Sequence, residues 1–250
     1  MAGAVVKSTQ RAFAIFEMFD RERRPLSLKS ICEEFGYAPS SGSALLKSLV
    51  SLGYLDFNAK SRTYLPTMRI AHLGLWVEAA LFGDGEILRL MKDLHAATGQ
   101  VVILATQSGL SAQYIHTVAE QPLLHFEAAP GTLRPLAASG VGLMLLSEHS
   151  DKEIKRICHH INYSKAAAEP VDYCKIIEQV EFARREGYMI TVNMPIPDSA
   201  VLSMLLPGSR YGRTFALGVA IHAHQLEEQR DSILSEMRGR IAALEATPPH

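Results

Sequence analysis

The apolar residues between positions 26 and 64 recur first at helical spacing and then at the spacing of a strand. Ser27 precedes the first apolar set as a candidate N-cap, and Gly36 follows it as a candidate stop. We therefore predict a short helix between these two residues. The set follows i, i+3, i+4 and i+7, one face of a helix, and comprises Leu28, Ile31, Cys32 and Phe35.

A second helix is predicted directly after a short turn. Pro39 suits its first turn, where no backbone N–H is needed, and Gly53 ends it. We expect Leu45, Leu49 and Leu52 to form its buried face. Small polar residues and one lysine on the opposite face would allow close approach to a DNA major groove. That face comprises Ser40, Ser43, Ala44, Lys47 and Ser51.

The next segment predicts a β-hairpin with a basic tip. Leu55 and Phe57 alternate with polar residues, and residues 63–65 can return as the second strand. Lys60 and Arg62 lie in the connecting turn, where they suit phosphate or minor-groove contact. Two helices in this arrangement also occur in bundles that bind no DNA. The added hairpin, which would form a wing, favours nucleic-acid binding.

Two further helices flank this segment. Ser8 or Thr9 is the expected cap of the first helix, whose buried face would comprise Ala12, Ile15, Phe16 and Phe19. A helix over residues 68–81 carries an apolar stripe that includes Leu73 and Trp76. This stripe is more apolar than a linker requires, so we expect it to be a dimer or interdomain surface.

The remaining pattern mixes helices and strands, and it predicts an α+β domain. Predicted helices cover residues 86–98, 151–160, 171–186 and 226–244, and predicted strands cover 101–106, 112–118, 123–127, 198–206 and 215–224. Gly140 and Gly142 stand where an apolar helix begins, so exposed backbone N–H groups there would favour an anion. The alternative is that these glycines only allow close packing of helix against sheet.

Composition and charge fit an intracellular protein of two domains. The 250 residues are 48% hydrophobic and 20% charged, as in globular proteins. Neither a signal peptide nor an apolar run of about 20 residues is present, so we expect no membrane segment. The three widely spaced cysteines suit a reducing cytosol. Residues 1–70 hold ten Lys/Arg and six Asp/Glu, whereas the remainder is acidic, as expected for a DNA-binding domain joined to a sensing domain.

Motifs for catalysis or cofactor binding are missing. The sequence contains no P-loop, dinucleotide fingerprint or Gly-x-Ser-x-Gly elbow. The pairs His159-His160 and His222-x-His224 have no Cys or carboxylate at a spacing typical of a metal site. We therefore expect no metal, no cofactor and no enzymatic activity.

Several of these segments resemble the IclR-type bacterial transcriptional regulators. The resemblance lies in Ser8-Thr9-Gln10-Arg11-Ala12, in residues 26–41, in Leu45-Leu46 and in Gly53-Tyr54-Leu55, and in the second half it lies in residues 131–147 and Gly187-Tyr188. It implies a winged helix-turn-helix over residues 1–65, a linker helix over 66–82 and a GAF-like α+β effector-binding domain over 83–250. Family members are homodimers or dimers of dimers, and two heads would suit a palindromic double-stranded operator.

The resemblance also implies two sets of binding residues. We expect DNA contacts from Arg11, Ser27, Ser40, Ser41, Ser43, Lys47, Lys60 and Arg62. The implied effector pocket comprises Gly140, Val141, Met144, Val201, Ala220 and His222. Relatives bind small organic acids there, so a small, partly apolar carboxylate held by the helix N-terminus and His222 is expected. The alternative is that Met144, Val201 and nearby leucines fill the space and leave a closed core.

Some positions depart from the family pattern and keep two other functions open. Ala44 stands where relatives usually carry arginine, and Pro39 and Gly42 replace the usual lysine and valine. Thr191 replaces one of the acidic residues that usually follow the Gly-Tyr pair. The departures on the second helix would fit an interaction module that has lost DNA binding. A small-molecule enzyme that retains a winged domain is a separate alternative.

Overall fold

A computed structural model describes residues 6–82, 85–120, 128–164, 170–209 and 212–245. The chain divides into two compact units, residues 1–79 and 80–250. Within the described ranges, no helix is long and apolar enough to cross a bilayer. The first unit and the helix at its end contain α1 (Lys7–Glu22), β1 (Leu26–Ser27), α2 (Leu28–Phe35), α3 (Pro39–Ser51), β2 (Leu55–Asn58), β3 (Thr63–Pro66) and α4 (Met68–Phe82).

The first unit is a three-helix core closed by a small antiparallel sheet. Strand β3 lies in the middle, between β1 and β2. The predicted hairpin is confirmed, with Asn58 paired to Thr63 at the end of the ladder. Strand β1 was not expected; its Leu26 pairs with Tyr64 and fixes the start of α2 against the wing. The core of this unit comprises Ile15, Met18, Phe19, Leu26, Ile31, Leu46, Leu49, Leu55 and Tyr64.

Local signals set the ends of α2, as predicted. Ser27 Oγ accepts a hydrogen bond from the Ser30 amide, and Ser30 Oγ accepts one from the Ser27 amide, each at 3.1 Å. Leu26 and Ile31 are both fully buried on either side of this cap, which is the arrangement of a hydrophobic staple. Gly36 ends the helix at φ 63°, a left-handed conformation that favours glycine.

Two predictions in the first unit are wrong. Helix α1 begins at Lys7 with Val6 at the N-cap and no side-chain cap, so Ser8 and Thr9 lie within its first turn. Helix α3 buries Leu46 fully, whereas the predicted Leu45 is only partly buried against the same core and Leu52 is 57% exposed. The helix is rotated because α2 packs closely against Gly42, whose Cβ position would lie 2.5 Å from Cys32 Sγ.

The second unit is an α+β domain. In chain order it contains α5 (Glu86–Thr98), β4 (Val101–Ser108), β5 (Ser111–Val118), β6 (Leu133–Pro135), α6 (Gly140–Leu146), α7 (Asp151–Ser164), α8 (Tyr173–Glu186), β7 (Met189–Val192), β8 (Ser199–Leu205), β9 (Phe215–His222) and α9 (Leu226–Glu245). Its strands form one sheet in the order β6-β5-β4-β9-β8-β7, with antiparallel neighbours.

Helices cover both faces of this sheet. Residues of α6, α7 and α8 pack with Val201 and Ala220 on one face. Residues of α5 and α9 pack with Ala200 and Leu202 on the other face. Successive side chains of a strand point to opposite faces, so the central strands are buried on both sides.

The sequence predictions for this unit hold for the long elements and miss two short strands. Helix α5 has the predicted bounds, and the predicted strand over 123–127 lies outside the described residues. Strand β9 ends at His222, so His224 lies in a short 3-10 helix and not in the strand. Strands β6 and β7 are only three and four residues long, too short to give a periodic signal.

Candidate nucleic-acid interface and ligand cleft

Helix α3 and the wing enclose a groove of about 430 Å³ on the first unit. Three of the predicted DNA-binding residues meet there, namely Ser43, Lys47 and Arg62. Its floor is apolar, and the ring centres of Phe57 and Tyr64 lie 4.8 Å apart there. The full lining is Leu28, Ser43, Lys47, Val50, Ser51, Phe57, Arg62 and Tyr64.

The cations on α3 and the wing differ from the paired arginines of this unit. Arg21 pairs with Glu34 at 2.6 Å, and Arg24 pairs with Glu22 at 2.9 Å. By contrast, Lys47, Lys60 and Arg62 form no ion pair with any residue that the structure describes. The positive charge of α3 and the wing is therefore available to a polyanion.

The tip of the wing is held in one shape by its own hydrogen bonds. Asn58 Oδ1 accepts hydrogen bonds from the amides of Lys60 at 3.0 Å and Ser61 at 3.2 Å. Arg62 follows at φ 54°, a left-handed conformation that reverses the chain into β3. The backbone that carries both basic side chains is thus set before any partner binds.

The other predicted DNA contacts lie on α3 or around it. Ser40 and Ser41 are exposed in the first turn of α3. The Arg11 guanidinium lies over the ring of Tyr37, at 4.6 Å from its centroid, at the turn between α2 and α3. Ser27 caps α2, so its hydroxyl has a structural role whether or not DNA is present.

A narrow cleft lies between α6 and the sheet of the second unit. Its free volume is about 10 Å³, room for roughly one water molecule. This conformation is therefore close to the filled core that the sequence left open as an alternative. The lining comprises Tyr114, Ser139, Gly140, Val141, Met194, Pro195, Ile196, Ser199 and Val201.

The predicted effector residues are divided between this cleft and other places. Gly140, Val141 and Val201 line the cleft. Met144 and Ala220 are buried in the packed core on the same face of the sheet. His222 is exposed at the end of β9, where it stacks on His224 at 5.5 Å and does not line the cleft.

Sequence reasoning missed Tyr114, Ser139, Ser199 and the loop over 194–196. Alternation along β5 was a usable signal for one of them, because Ala112 and Tyr114 both point toward α6. The loop carried no periodic signal. It lies against the cleft because Asn193 Oδ1 accepts a hydrogen bond from the Asp198 amide at 2.7 Å and closes the turn.

Several hydroxyl groups lie near Gly140 or in the lining of the cleft. Ser199 Oγ donates to the Ile196 carbonyl at 2.6 Å, and Ser203 Oγ donates to the Met189 carbonyl at 3.3 Å. Thr191 is 4% exposed, and its Oγ1 has no hydrogen-bond partner among the described residues. It lies 2.8 Å from the position that a Cβ on Gly140 would take. A buried hydroxyl without a partner costs free energy, so this atom would gain from a ligand.

The glycines of α6 also serve close packing. A Cβ on Gly142 would lie 2.2 Å from the Leu136 carbonyl oxygen. The Gly142 amide donates to Ser139 Oγ at 3.2 Å, so the helix cap already uses this N–H. The packing alternative thus holds at Gly142, and anion binding at Gly140 and Val141 stays a prediction.

Tyr114 is the titratable side chain among the residues that line the cleft. It is 3% exposed, and burial raises the pKa of its phenol. The positive charge of the nearby Arg134 guanidinium lowers the same pKa in part. The described residues contain no cluster of three or more His, Cys, Asp or Glu that would suit a metal.

Comparison with known families identifies the family to which these two units belong. Residues 8–59 match the sequence model of the IclR helix-turn-helix domain, and residues 86–243 match that of the bacterial transcriptional regulator IclR C-terminal domain. The chain belongs to the IclR family. The expected architecture, a winged helix-turn-helix followed by a GAF-like α+β effector domain, is confirmed.

Individual relatives are distant. The chain is 22% identical over 188 residues to the transcriptional regulator KdgR of Dickeya chrysanthemi, covering 73% of this chain and 60% of that protein. It is 22% identical over 160 residues to XynR of Escherichia coli, covering 64% of each. The chain thus spans less than two thirds of the length of either regulator.

Solved structures support the IclR fold over nearly the whole chain. The Thermotoga maritima IclR structure matches with a TM-score of 0.74 at 16% identity, covering 94% of this chain and 96% of that one. An IclR homolog from Microbacterium hydrocarbonoxydans, solved with 4-hydroxybenzoate, matches with a TM-score of 0.72 at 17% identity, covering 96% and 100%.

Proposed function

We propose that this IclR-family protein is a transcriptional regulator that binds a double-stranded operator and is controlled by a small carboxylate effector. The observation that carries the DNA part is the groove between α3 and the wing. It combines an exposed small-residue helix face with Lys47 and Arg62, whose charges no described residue neutralises. Such a surface fits a negatively charged groove in shape and in sign.

The roles of the residues follow from their positions on this surface. Ser40, Ser43 and Ala44 let α3 approach the bases closely, and Lys47 reaches a base edge or a nearby phosphate. Lys60 and Arg62 contact phosphates, which sets the register of α3 without reading sequence. Arg11, stacked on Tyr37, supplies a further phosphate contact beside the start of α3.

The effector would bind in the cleft of the second unit. The unpaired Thr191 hydroxyl and the apolar side chains of Val141 and Val201 support this placement. The free volume is too small for an organic acid, so the loop over 193–198 has to move when the acid enters. A ligand that binds only the open cleft would shift the population of conformations and thereby the affinity for the operator.

We further propose a cytoplasmic homodimer or dimer of dimers acting on a palindromic site. One winged unit offers only a few base contacts, so two linked units are needed for specificity. Leu73 and Trp76 of α4 are 52% and 65% exposed and belong to one apolar stripe, and an exposed apolar patch is typical of an interface. The bacterial chromosome lies in the cytoplasm, and the regulator belongs there.

One observation favours a second function. The outward face of α3 carries a single cation, so a protein-interaction module would use the same surface without DNA. Selection from a random duplex library separates the two, because a regulator enriches a defined palindrome at moderate salt and an interaction module enriches none. For the enzymatic alternative, a turnover screen against small carboxylates and esters is the corresponding test, and we expect no product.

A further inference from the structure

Two side chains that the family resemblance did not assign meet beside the cleft. Tyr114 of β5 lines it, and Arg134 of β6 lies opposite Ala112 in the antiparallel ladder. Residues paired across a ladder share a face of the sheet, so Arg134 and Tyr114 both point toward α6. The guanidinium carbon of Arg134 lies over the Tyr114 ring, 5.8 Å from its centre.

The donors and acceptors of the two side chains determine what Tyr114 can offer a ligand. A guanidinium only donates, so it cannot accept the phenol proton, which Tyr114 can donate to another group. An adjacent cation polarises this O–H and strengthens its bond to an anion. Because Tyr114 is 3% exposed, water screens the interaction weakly.

We propose that Tyr114, backed by Arg134, binds the acid group of the effector. This inference rests on the proposed function, because it takes the cleft as the effector site. The rest of the cleft then defines the ligand class. Val141, Val201 and Ile196 face the body of the ligand, and the Thr191 hydroxyl lies behind Gly140 of the lining. A small monocarboxylate with an apolar body and one further hydroxyl or carbonyl fits these groups.

The pair is better placed for this role than the histidine expected from the sequence. His222 is exposed outside the lining, where bulk water screens its charge. The Gly142 amide is already bonded to Ser139 Oγ. Tyr114 and Arg134 combine a buried donor with a fixed positive charge at one wall of the cleft.

Calorimetric titration of the full-length protein with acids and their neutral amides tests the assignment. The probes are acetate and acetamide, benzoate and benzamide, and 4-hydroxybenzoate and 4-hydroxybenzamide. We expect the wild type to bind at least one acid more tightly than its amide. Tyr114→Phe keeps the ring and removes the donor, so it should weaken the acid about tenfold and leave the amide unchanged. Arg134→Gln should act in the same direction, whereas Arg134→Lys should retain part of the preference.

His222→Ala is the matched control, and it should leave the preference for the acid unchanged. If His222→Ala removes that preference and Tyr114→Phe does not, the acid binds at the end of β9 and the inference is wrong. Melting curves followed by circular dichroism show whether each variant is folded, and Tyr114→Phe is expected to fold because it keeps the packed ring.

Gly140→Ala separates failure of this inference from failure of the proposed effector site. The added methyl group would lie 2.8 Å from Thr191 Oγ1 and narrow the cleft. If Gly140→Ala abolishes acid binding while Tyr114→Phe and Arg134→Gln do not alter it, the cleft is the site and the acid anchor is elsewhere. If all three variants bind as the wild type does, the effector does not occupy this cleft. If no acid binds the wild type, both proposals fail.

Discussion

The two basic residues at the wing tip provide the sharpest test of DNA binding. Lys60 and Arg62 lie on a turn that Asn58 already fixes, and the described part of the chain offers neither an ion-pair partner. Replacing both by alanine thus removes two positive charges without breaking an internal salt bridge. The protein should fold as before and lose only its contacts to phosphate.

The expected change in salt dependence follows from the number of lost contacts. Each phosphate contact to duplex DNA contributes about 0.9 to the slope of log K against log salt concentration. If two contacts are lost in each of two heads on a palindrome, the magnitude of the slope falls by about 3.6. Between 50 and 200 mM salt, the wild type should then lose about 150-fold more affinity than the double variant does.

Fluorescence anisotropy of a selected duplex at several salt concentrations measures both slopes. Arg24→Ala is the control, because Arg24 is also a basic residue of this unit but pairs with Glu22 at 2.9 Å. Its slope should equal that of the wild type. A decrease of about 1.8 in the double variant would mean that only one head binds. An unchanged slope would remove the wing from the interface and refute the reasoning.

Three other properties can be tested on the same protein. Gly42→Ala should be destabilising because its Cβ would lie 2.5 Å from Cys32 Sγ. In calorimetry, the double variant with Cys32→Ala should be more stable, by about 1 kcal/mol or more, than the sum of the two single effects predicts. Additive effects would contradict the close contact. Trp76→Ala should make the oligomer dissociate on dilution, and an unaltered oligomer in analytical ultracentrifugation would place the interface elsewhere. Hydrogen bonds from Ser150 lower the pKa of Glu153 below its usual 4.5, so its contribution to stability is present above that pH and is lost as the pH falls through the lowered value. The melting temperature of Glu153→Gln should therefore differ from that of the wild type at neutral pH, and the two should converge in acid. A difference that stays constant with pH would show that titration of Glu153 does not contribute to stability.

Local sequence determined much of the first unit and the long helices of the second. Ser27, Gly36 and Pro39 act within one or two helical turns, so their effects can be read without knowing the fold. Helix α5 has the predicted bounds because both of its signals are local. These are Gly99 at its end and the four apolar residues at helical spacing before it. The basic wing tip was predictable for the same reason, since two adjacent strands and their turn are close in sequence.

Tertiary structure alone decided which face of α3 is buried and what lines the cleft. The rotation of α3 depends on Cys32 meeting Gly42, a contact between two helices that the helical period of α3 does not contain. The cleft likewise requires β5, α6, β8 and the loop before β8 to meet, through strand pairings that are distant in sequence. His222 has the register expected for the ligand-facing side of β9, yet it is exposed because the strand ends there. Periodicity assigns a side chain to a face of its strand, but only the packed neighbours decide whether that part of the face is covered.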